Sequence, residues 1–496
     1  FCLLVITFFQ GMLFSNNLPA LDGRNIDWKD YKIDDLKTIL LWVVVLILVG
    51  VLCHFLKEKP YIKILMIFSG LILCVLIVSL YKISTFYHMD KDKYLNSTDS
   101  NLFTYSDTDN FIIFVVDAVD GETTKDILET EDAYNSTFDD FTFYDNVMGA
   151  YPFTSHAIPY ILSGQWYLGE SDFNEYSCKA IGESPLFNNL KKLGYSIDLY
   201  DTELKIGYKE SKNQFENTSN NRKAIKSYTG FAKDVISLGG IKYAPFLLKR
   251  FCYREDGDYN KNIETTDEKL FSWNNKQFYD DLNNTVINKT ETKQFKFIHL
   301  EGAHVPFKYD ENLNYTKDGT YKKSVMATLT LIDKYINVLK ENDIYNNSTI
   351  LIMADHGYED GDDSGMGRQN PVLFIKQKNE QHDFRISSIP VSYEDLQSVY
   401  SRLLEGKSGD ELFDYKETDF RERRYIFFQY GNENNMQEYI QTGVASDNST
   451  MIPTGNTYVY ISNETSGSYF YEICDKIMAY FNRITNNLAV SIILFT

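Results

Sequence analysis

The segment Phe111 to Val116, FIIFVV, runs without a polar residue until it stops at a carboxylate, Asp117. A β-branched and aromatic run of this kind offers no face to water, so it suits a strand buried on both sides. Such a strand needs helices above and below it, and the rest of the chain supplies that alternation. Leu190 to Leu193 leads through Gly194 into YSIDLY, Phe295 to Leu300 (FKFIHL) is strand-like, and Lys322 to Leu339 is helical. Thr349 to Met353 is again strand-like, and Val372 to Ile375 follows Pro371. The pattern predicts an α/β fold, a mostly parallel sheet with helices on both faces, with no internal repeat.

Upstream the chain has a different character. Ile39 to Leu56 and Ile62 to Ile83 are apolar runs nearly free of charge, each long enough to cross a hydrocarbon core of ~30 Å as a helix. Residues 1–14 read as the end of an earlier apolar segment already under way at Phe1. Residues 1–89 are thus expected to form a transmembrane region. Lys57 and Lys59 lie between the two complete runs, Lys63 at the start of the second, and Arg24, Lys29, Lys32 and Lys37 lie before them. The positive-inside tendency then places the hairpin in the cytoplasm and the rest of the chain outside a cytoplasmic membrane. A polar stretch at 90–110 reads as a linker, 111–415 as the main domain, and 416–496, with strands at Tyr425 to Tyr430 and Tyr458 to Ile461, as a C-terminal lobe.

Charge and cysteine content remove several classes. Across 496 residues, 69 acids outnumber 49 Lys and Arg for a net charge of -20, which disfavours a phosphate-backbone binder, so no nucleic-acid partner is expected. The six cysteines include no C-x-x-C pair, and only Cys178 with Cys252 suggests a bridge.

Ligands of open α/β sheets bind beyond the carboxyl ends of the strands, and three strands here end in polar residues. The first ends in Asp117. ILIMADHG ends in Asp355 and His356 on a turn closed by Gly357, a carboxylate and an imidazole that suit a divalent cation. FIHLEGAHVPF ends in Glu301 and His304. In YPFTSHAIPYILSG, Thr154 stands at a helix entry, where its hydroxyl and an incoming phosphate would both meet the positive end of the helix dipole. Each feature alone has an ordinary role as cap or turn; their convergence at one sheet edge is what points to chemistry. His156 and His299 read as packing residues, Glu359 to Asp363 as a solvated acidic loop, and the Asn135 and Asn217 sequons as chance in an Asn-rich chain.

Asp117, Thr154, His304 and the Asp355-His356-Gly357 turn, in this order, resemble the sulfatase and alkaline-phosphatase-like superfamily, nearest to lipoteichoic acid synthases and phosphoethanolamine transferases. GRQNPVLFIK is similar to that branch in the proline opening the strand after the Asp-His turn. The resemblance implies that Thr154 is nucleophile and metal ligand, that Asp117, Asp355 and His356 complete a site for one divalent ion (Mn, Mg or Zn), and that His304 contacts the phosphoryl group. Arg368 is expected to take over charge neutralisation, because Met366 to Asn370 offers no second-site histidine. Two departures stand out: Asp117 replaces the Glu usual in that branch, and TSHAIP lacks the Cys and Arg of a sulfatase maturation motif.

The function so implied is transfer of a phosphoglycerol or phosphoethanolamine-type group from a membrane phospholipid donor to an envelope glycan or lipid acceptor, through phosphothreonine. A phosphodiesterase, phosphatase or sulfuric ester hydrolase would use the same residues, and a noncatalytic envelope-binding module would keep the same fold.

Overall fold

The computed structural model describes residues 26–55, 94–219, 223–225, 227–254, 262–265, 269–358, 366–429 and 432–461, with isolated positions 7, 10, 11, 63 and 70. Seven strands form the central sheet: β1 (Asn110–Val116), β2 (Thr142–Tyr144), β3 (Ser196–Tyr200), β4 (Gln294–Leu300), β5 (Ser348–Met353), β6 (Leu373–Lys376) and β7 (Arg385–Ser387). Their spatial order is β7-β2-β6-β5-β1-β4-β3. The four strands β5, β1, β4 and β3 are parallel, as the uninterrupted apolar runs demand, with Phe111 opposite both Phe295 and Thr349. Beyond β5 the sheet turns mixed, for β6 runs antiparallel to β5 and β2 antiparallel to β6. The short chain from Met353 through the Asp355-His356 turn to Pro371 returns the strand directly beside its predecessor.

Alternation along β1 divides the core. Phe111, Ile113 and Val115 join the apolar cluster containing Ile161 and Leu396, whereas Ile112, Phe114 and Val116 join the one containing Leu331 and Tyr335. Helix Thr154–Ser163 therefore covers one face and helix Tyr321–Glu341 the other. All seven residues of β1 and all seven of β4 are buried, which includes one ion pair inside the sheet. Lys296 Nζ of β4 lies 2.9 Å from Asp198 Oδ2 of β3, both with side chains wholly excluded from water, and it also donates to the Asn101 carbonyl. Burial pulls the Lys296 ammonium below its usual value, against the opposing pull of Asp198.

Several expectations need revision. The polar stretch at 90–110 is not a bare linker: Tyr94–Ser97 pairs with Ile206–Gly207 and Thr218–Ser219, and Thr104–Ser106 pairs with Asn288–Thr290. Its polar residues satisfy the backbone and each other, as when Asn110 bonds to both N and O of Ser106. Cys178 and Cys252 are both thiols, not joined to each other. Asn217, in a sequon read as chance, is buried and donates to the Thr98 and Leu199 carbonyls, in keeping with that reading. In the C-terminal lobe the strands are Arg423–Phe427, Met436–Gln441 and Met451–Tyr458, an antiparallel sheet in which Tyr458 ends a strand instead of opening one. Among the described residues no helix is long and apolar enough to cross a membrane. The run Ile39 to Leu56 falls mostly on helix Lys32–Phe55, which exposes Leu40, Leu46, Ile47 and Leu48. The expected spans at 62–83 and 1–14, and the acidic cluster 359–363, lie outside the described residues, the isolated positions apart.

The Lys296–Asp198 pair makes a stability prediction. Lys296→Met strands a buried carboxylate and should cost about 3–5 kcal/mol, whereas Lys296→Met with Asp198→Leu should recover most of it. Urea unfolding of the two variants checks this, and equal stability of single and double variants would contradict it.

Candidate active site

Parallel register brings the strand ends together. Asp117 follows Val116 at the end of β1, and Asp355 and His356 follow Ala354 beyond β5, its neighbour. One ligand atom from each of Asp117, Asp355 and His356 lies within 4.8 Å of the others, and all three residues are buried. The backbone at this point is tightly constrained: Ala118 has φ 59° and its N–H donates to Asp355 Oδ1 at 3.3 Å. Gly302, with φ +54°, packs against the same place, where a Cβ would lie 2.3 Å from the Asp117 carbonyl oxygen. Ala303 donates its N–H to that oxygen at 2.9 Å, so the loop after β4 is bound to the strand end it faces.

The donor set fits a divalent cation on its own geometry. Asp117 Oδ1 and Asp355 Oδ2 are buried without a hydrogen-bond partner, an arrangement costly for a carboxylate unless a cation sits beside it. His356 Nδ1 lies 2.7 Å from the Gly357 carbonyl, which it can reach only as a donor. The imidazole so held turns Nε2 toward Asp117 Oδ1 at 3.6 Å and Asp355 Oδ2 at 3.5 Å. Burial lowers the His356 imidazole to about 4, leaving it neutral and able to ligate. The two carboxylates separate as close like charges must. Burial and the Asp355 charge raise Asp117 well above the usual 3.8. Asp355 is also opposed by burial, but the His356 and His299 imidazoles, a Thr154 hydrogen bond and the Ala118 N–H bring it below that value.

Thr154 is the first residue of helix Thr154–Ser163. It is not the N-cap: that position is Phe153, which has no side-chain cap to give. The Thr154 hydroxyl is therefore not spent on the helix, and it lies 3.4 Å from Asp117 Oδ2. Arg368 is drawn over the Phe153 ring, 4.8 Å from its centroid, and its charge acts on both Asp117 and His356. His304, half-buried on the loop after β4, puts Nδ1 2.5 Å from the Val305 carbonyl and packs beside Trp273. Glu301 is turned away from the site, bonded to Tyr309, Asn274 and Lys308. His156 packs among Phe173, Phe428 and Tyr151, and burial lowers it to about 3, as suits a packing residue.

Sequence reasoning missed the His299–Asp201 pair. His299 was read as packing, yet its Nδ1 lies 2.7 Å from Asp201 Oδ2 and its Nε2 faces Asp117 Oδ2 at 3.8 Å. Burial would lower this imidazole, but the Asp201 hydrogen bond and the charges of Asp201, Asp117 and Asp355 raise it to about 10. Asp201 Oδ1 in turn accepts the N–H groups of Glu203 and Leu204, at 2.7 and 2.6 Å. Those residues line a cavity of about 220 Å³ that opens on Thr154, with Asn174, Lys205 and Tyr460 on its walls.

Two outcomes are expected. A carboxyl raised by folding holds its proton more tightly in the folded chain, so its contribution is present at acid pH and lost as pH rises from 3.8 through the raised value. Asp117→Asn should then raise the melting temperature of chelator-treated protein at pH 8 by about 2 °C or more, and not at pH 4, while abolishing metal binding; a lower melting temperature at pH 8 would contradict the carboxylate clash. Asp201→Asn removes the hydrogen bond and the charge that hold the His299 imidazole raised, so in an NMR titration His299 should lose its proton at clearly lower pH than in the parent. An unchanged titration would leave His299 a packing residue.

The sulfatase family model matches residues 109–389, more than half of the chain, a range that includes Asp117, Thr154, His304, Asp355, His356 and Arg368. Comparison with curated sequences finds no significant match. Among solved structures the chain is similar to Ps i-CgsB in complex with k-i-k-neocarrahexaose, at 12% identity and TM-score 0.43 over 68% of this chain and 82% of that one. It is also similar to a protein in the alkaline phosphatase superfamily from Vibrio parahaemolyticus, at 10% identity and TM-score 0.38 over 73% and 85%. A third is the C-terminal periplasmic domain of EcEptC from Escherichia coli, at 16% identity and TM-score 0.31 over 67% and 91%. Because the family model extends over residues 109–389, more than half of its length, this chain belongs to the sulfatase family.

Proposed function

We propose that the chain is a membrane-anchored, metal-dependent phosphotransferase that moves a phosphoglycerol or phosphoethanolamine-type group from a phospholipid to an envelope glycan or lipid, with Thr154 as nucleophile. The observation that carries this is the Thr154 hydroxyl, free of capping duty at the first turn of a helix and directed at Asp117. Within a sulfatase family, a threonine in TSHAIP, with no Cys or Arg around it, favours phosphoryl chemistry over sulfate-ester cleavage. The cavity beside it has about the volume of seven waters, a size that suits a polar head group and not an acyl chain. The apolar run on helix Lys32–Phe55 supports a lipid donor held at a cytoplasmic membrane, with the catalytic domain on its outer side.

Asp117, Asp355 and His356, with Thr154, would hold the divalent ion, which when bound supplies positive charge that favours the threonine alkoxide and offsets the phosphoryl oxygens. Thr154 Oγ1 attacks phosphorus as the bond to the leaving alcohol breaks. The Thr154 proton passes to Asp117 Oδ2, the acceptor it already faces, and from there to the departing alkoxide, which leaves as the alcohol. His304 and Arg368 meet the non-bridging oxygens, and the first-turn N–H groups of the helix face the same charge. An acceptor hydroxyl then attacks the phosphothreonine as the bond from phosphorus to Thr154 Oγ1 breaks, and its proton returns by way of Asp117 to Thr154 Oγ1, which is restored as the hydroxyl. Water in place of that hydroxyl makes the same site a hydrolase.

Intact-mass analysis of the full chain in detergent, incubated with Mn²⁺ and phosphatidylglycerol or phosphatidylethanolamine, tests the proposal. A phosphoglycerol or phosphoethanolamine mass should appear on the parent and not on Thr154→Ala, whose turnover should fall by about a thousandfold or more. Turnover without added acceptor at the full rate would identify a hydrolase. Full activity in folded Thr154→Ala would end the threonine mechanism.

A further inference from the structure

Helix Tyr228–Tyr243, in the insertion between β3 and β4, is built the wrong way round for a helix that faces water. Its inward side is Asp234, Ser237 and Ile241, spaced i, i+3, i+7. Asp234 is buried against Arg254 and, at 2.5 Å, Asn262; Ser237 donates to the Cys252 carbonyl. At 3.6 residues per turn the opposite side is Tyr228, Ala232, Val235, Ile236, Gly239 and Tyr243. Tyr228 is 77% exposed, Ile236 72% and Val235 51%. Asp234 and Ser237 are turned toward the protein while Tyr228, Val235, Ile236 and Tyr243 face the surroundings, an apolar outer stripe unlike that of a soluble surface helix. The next segment continues the pattern, with Leu247, Leu248 and Phe251 exposed.

What this surface adjoins identifies its occupant. Helix Phe246–Lys249 packs on the start of helix Lys32–Phe55. The Tyr31 ring stacks on Phe246 at 5.1 Å, Trp28 meets Phe246 and Tyr253 edge-on, and Arg250 pairs with Asp35 at 3.1 Å. Helix Lys32–Phe55 then exposes its own apolar residues onward from Ile39. Around the junction a cleft of about 620 Å³ is lined by Trp28, Lys29, Lys32, Leu247 and Arg250, and Lys233 and Lys242 lie exposed along the insertion. In a chain of net charge -20 this basic and aromatic border is complementary to anionic head groups, and the apolar faces beside it to acyl chains.

We infer that the insertion at 227–254 lies in the outer membrane–water interface, its Tyr228–Tyr243 apolar face in the lipid and its Asp234 face toward the catalytic domain. It holds the cavity at head-group height beside the anchor helix. This rests on the membrane-anchored reading above.

The full chain is reconstituted in vesicles of phosphatidylglycerol and phosphatidylethanolamine containing a diazirine-acyl phospholipid, and photo-adducts are mapped by mass spectrometry. Adducts are expected both on 39–56 and on 228–251. Adducts on 39–56 alone overturn the inference and leave the membrane anchor standing. Adducts on neither overturn both. Val235→Asp with Ile236→Asp should leave turnover of a short-chain soluble phosphodiester unchanged and lower turnover of vesicle phospholipid roughly tenfold or more, the effect of removing two aliphatic side chains from an apolar phase. Equal loss on both substrates, or a dimer that dissociates in this variant without lipid adducts in the parent, overturns the proposal.

Discussion

Two carboxylates brought together out of water are the constraint around which this domain is arranged. The parallel register of β1 and β5 leaves Asp117 and Asp355 no other place to go, and each keeps an oxygen that no protein group satisfies. Without compensation such a pair would open the sheet edge, because an unpaired buried charge costs several kcal/mol. The surroundings supply partial compensation from three sides: the Ala118 N–H on Asp355, the His299 imidazole and the Arg368 charge. None of them closes the site. The remaining deficit of positive charge is what a divalent ion would fill, and in the proposed mechanism the same charge is what would favour the Thr154 alkoxide.

Much of this was legible because strand ends are legible. FIIFVV and ILIM have no polar face, so their terminating residues had to fall at one edge of a parallel sheet, and β1 and β5 run as expected. Thr154 was legible only in company; its segment alone would pass for a capped helix, and the cap turned out to be Phe153. His299 was not legible. A histidine flanked by Ile298 and Leu300 in a buried strand looks like core, and its partner Asp201 is 98 residues away, at a position that reads as an ordinary turn. The stretch at 90–110 failed for a related reason. Polar composition marks a linker and a short edge strand equally well, and only the partners at Ile206–Gly207, Thr218–Ser219 and Asn288–Thr290, all more than a hundred residues downstream, distinguish them.

Asp201 then joins two tasks that the sequence keeps apart. One of its oxygens fixes His299 beside Asp117; the other fixes the backbone of Glu203 and Leu204, which form the wall of the cavity. Asp201 thus links the cavity wall to the charge balance at Asp117, over two hydrogen-bonded steps. Under the proposed function this link would couple head-group fit to activation of Thr154. The loop after β4 works in parallel from the other side, since Gly302 and Ala303 press on the Asp117 backbone while His304 stands at the end of the same loop. The site is therefore braced through the backbone of Asp117 by one strand end and through its side chain by another. A carboxylate shorter than glutamate can be held this way with little freedom, and Asp117 at this position is consistent with a site positioned by its neighbours instead of by the reach of its own side chain.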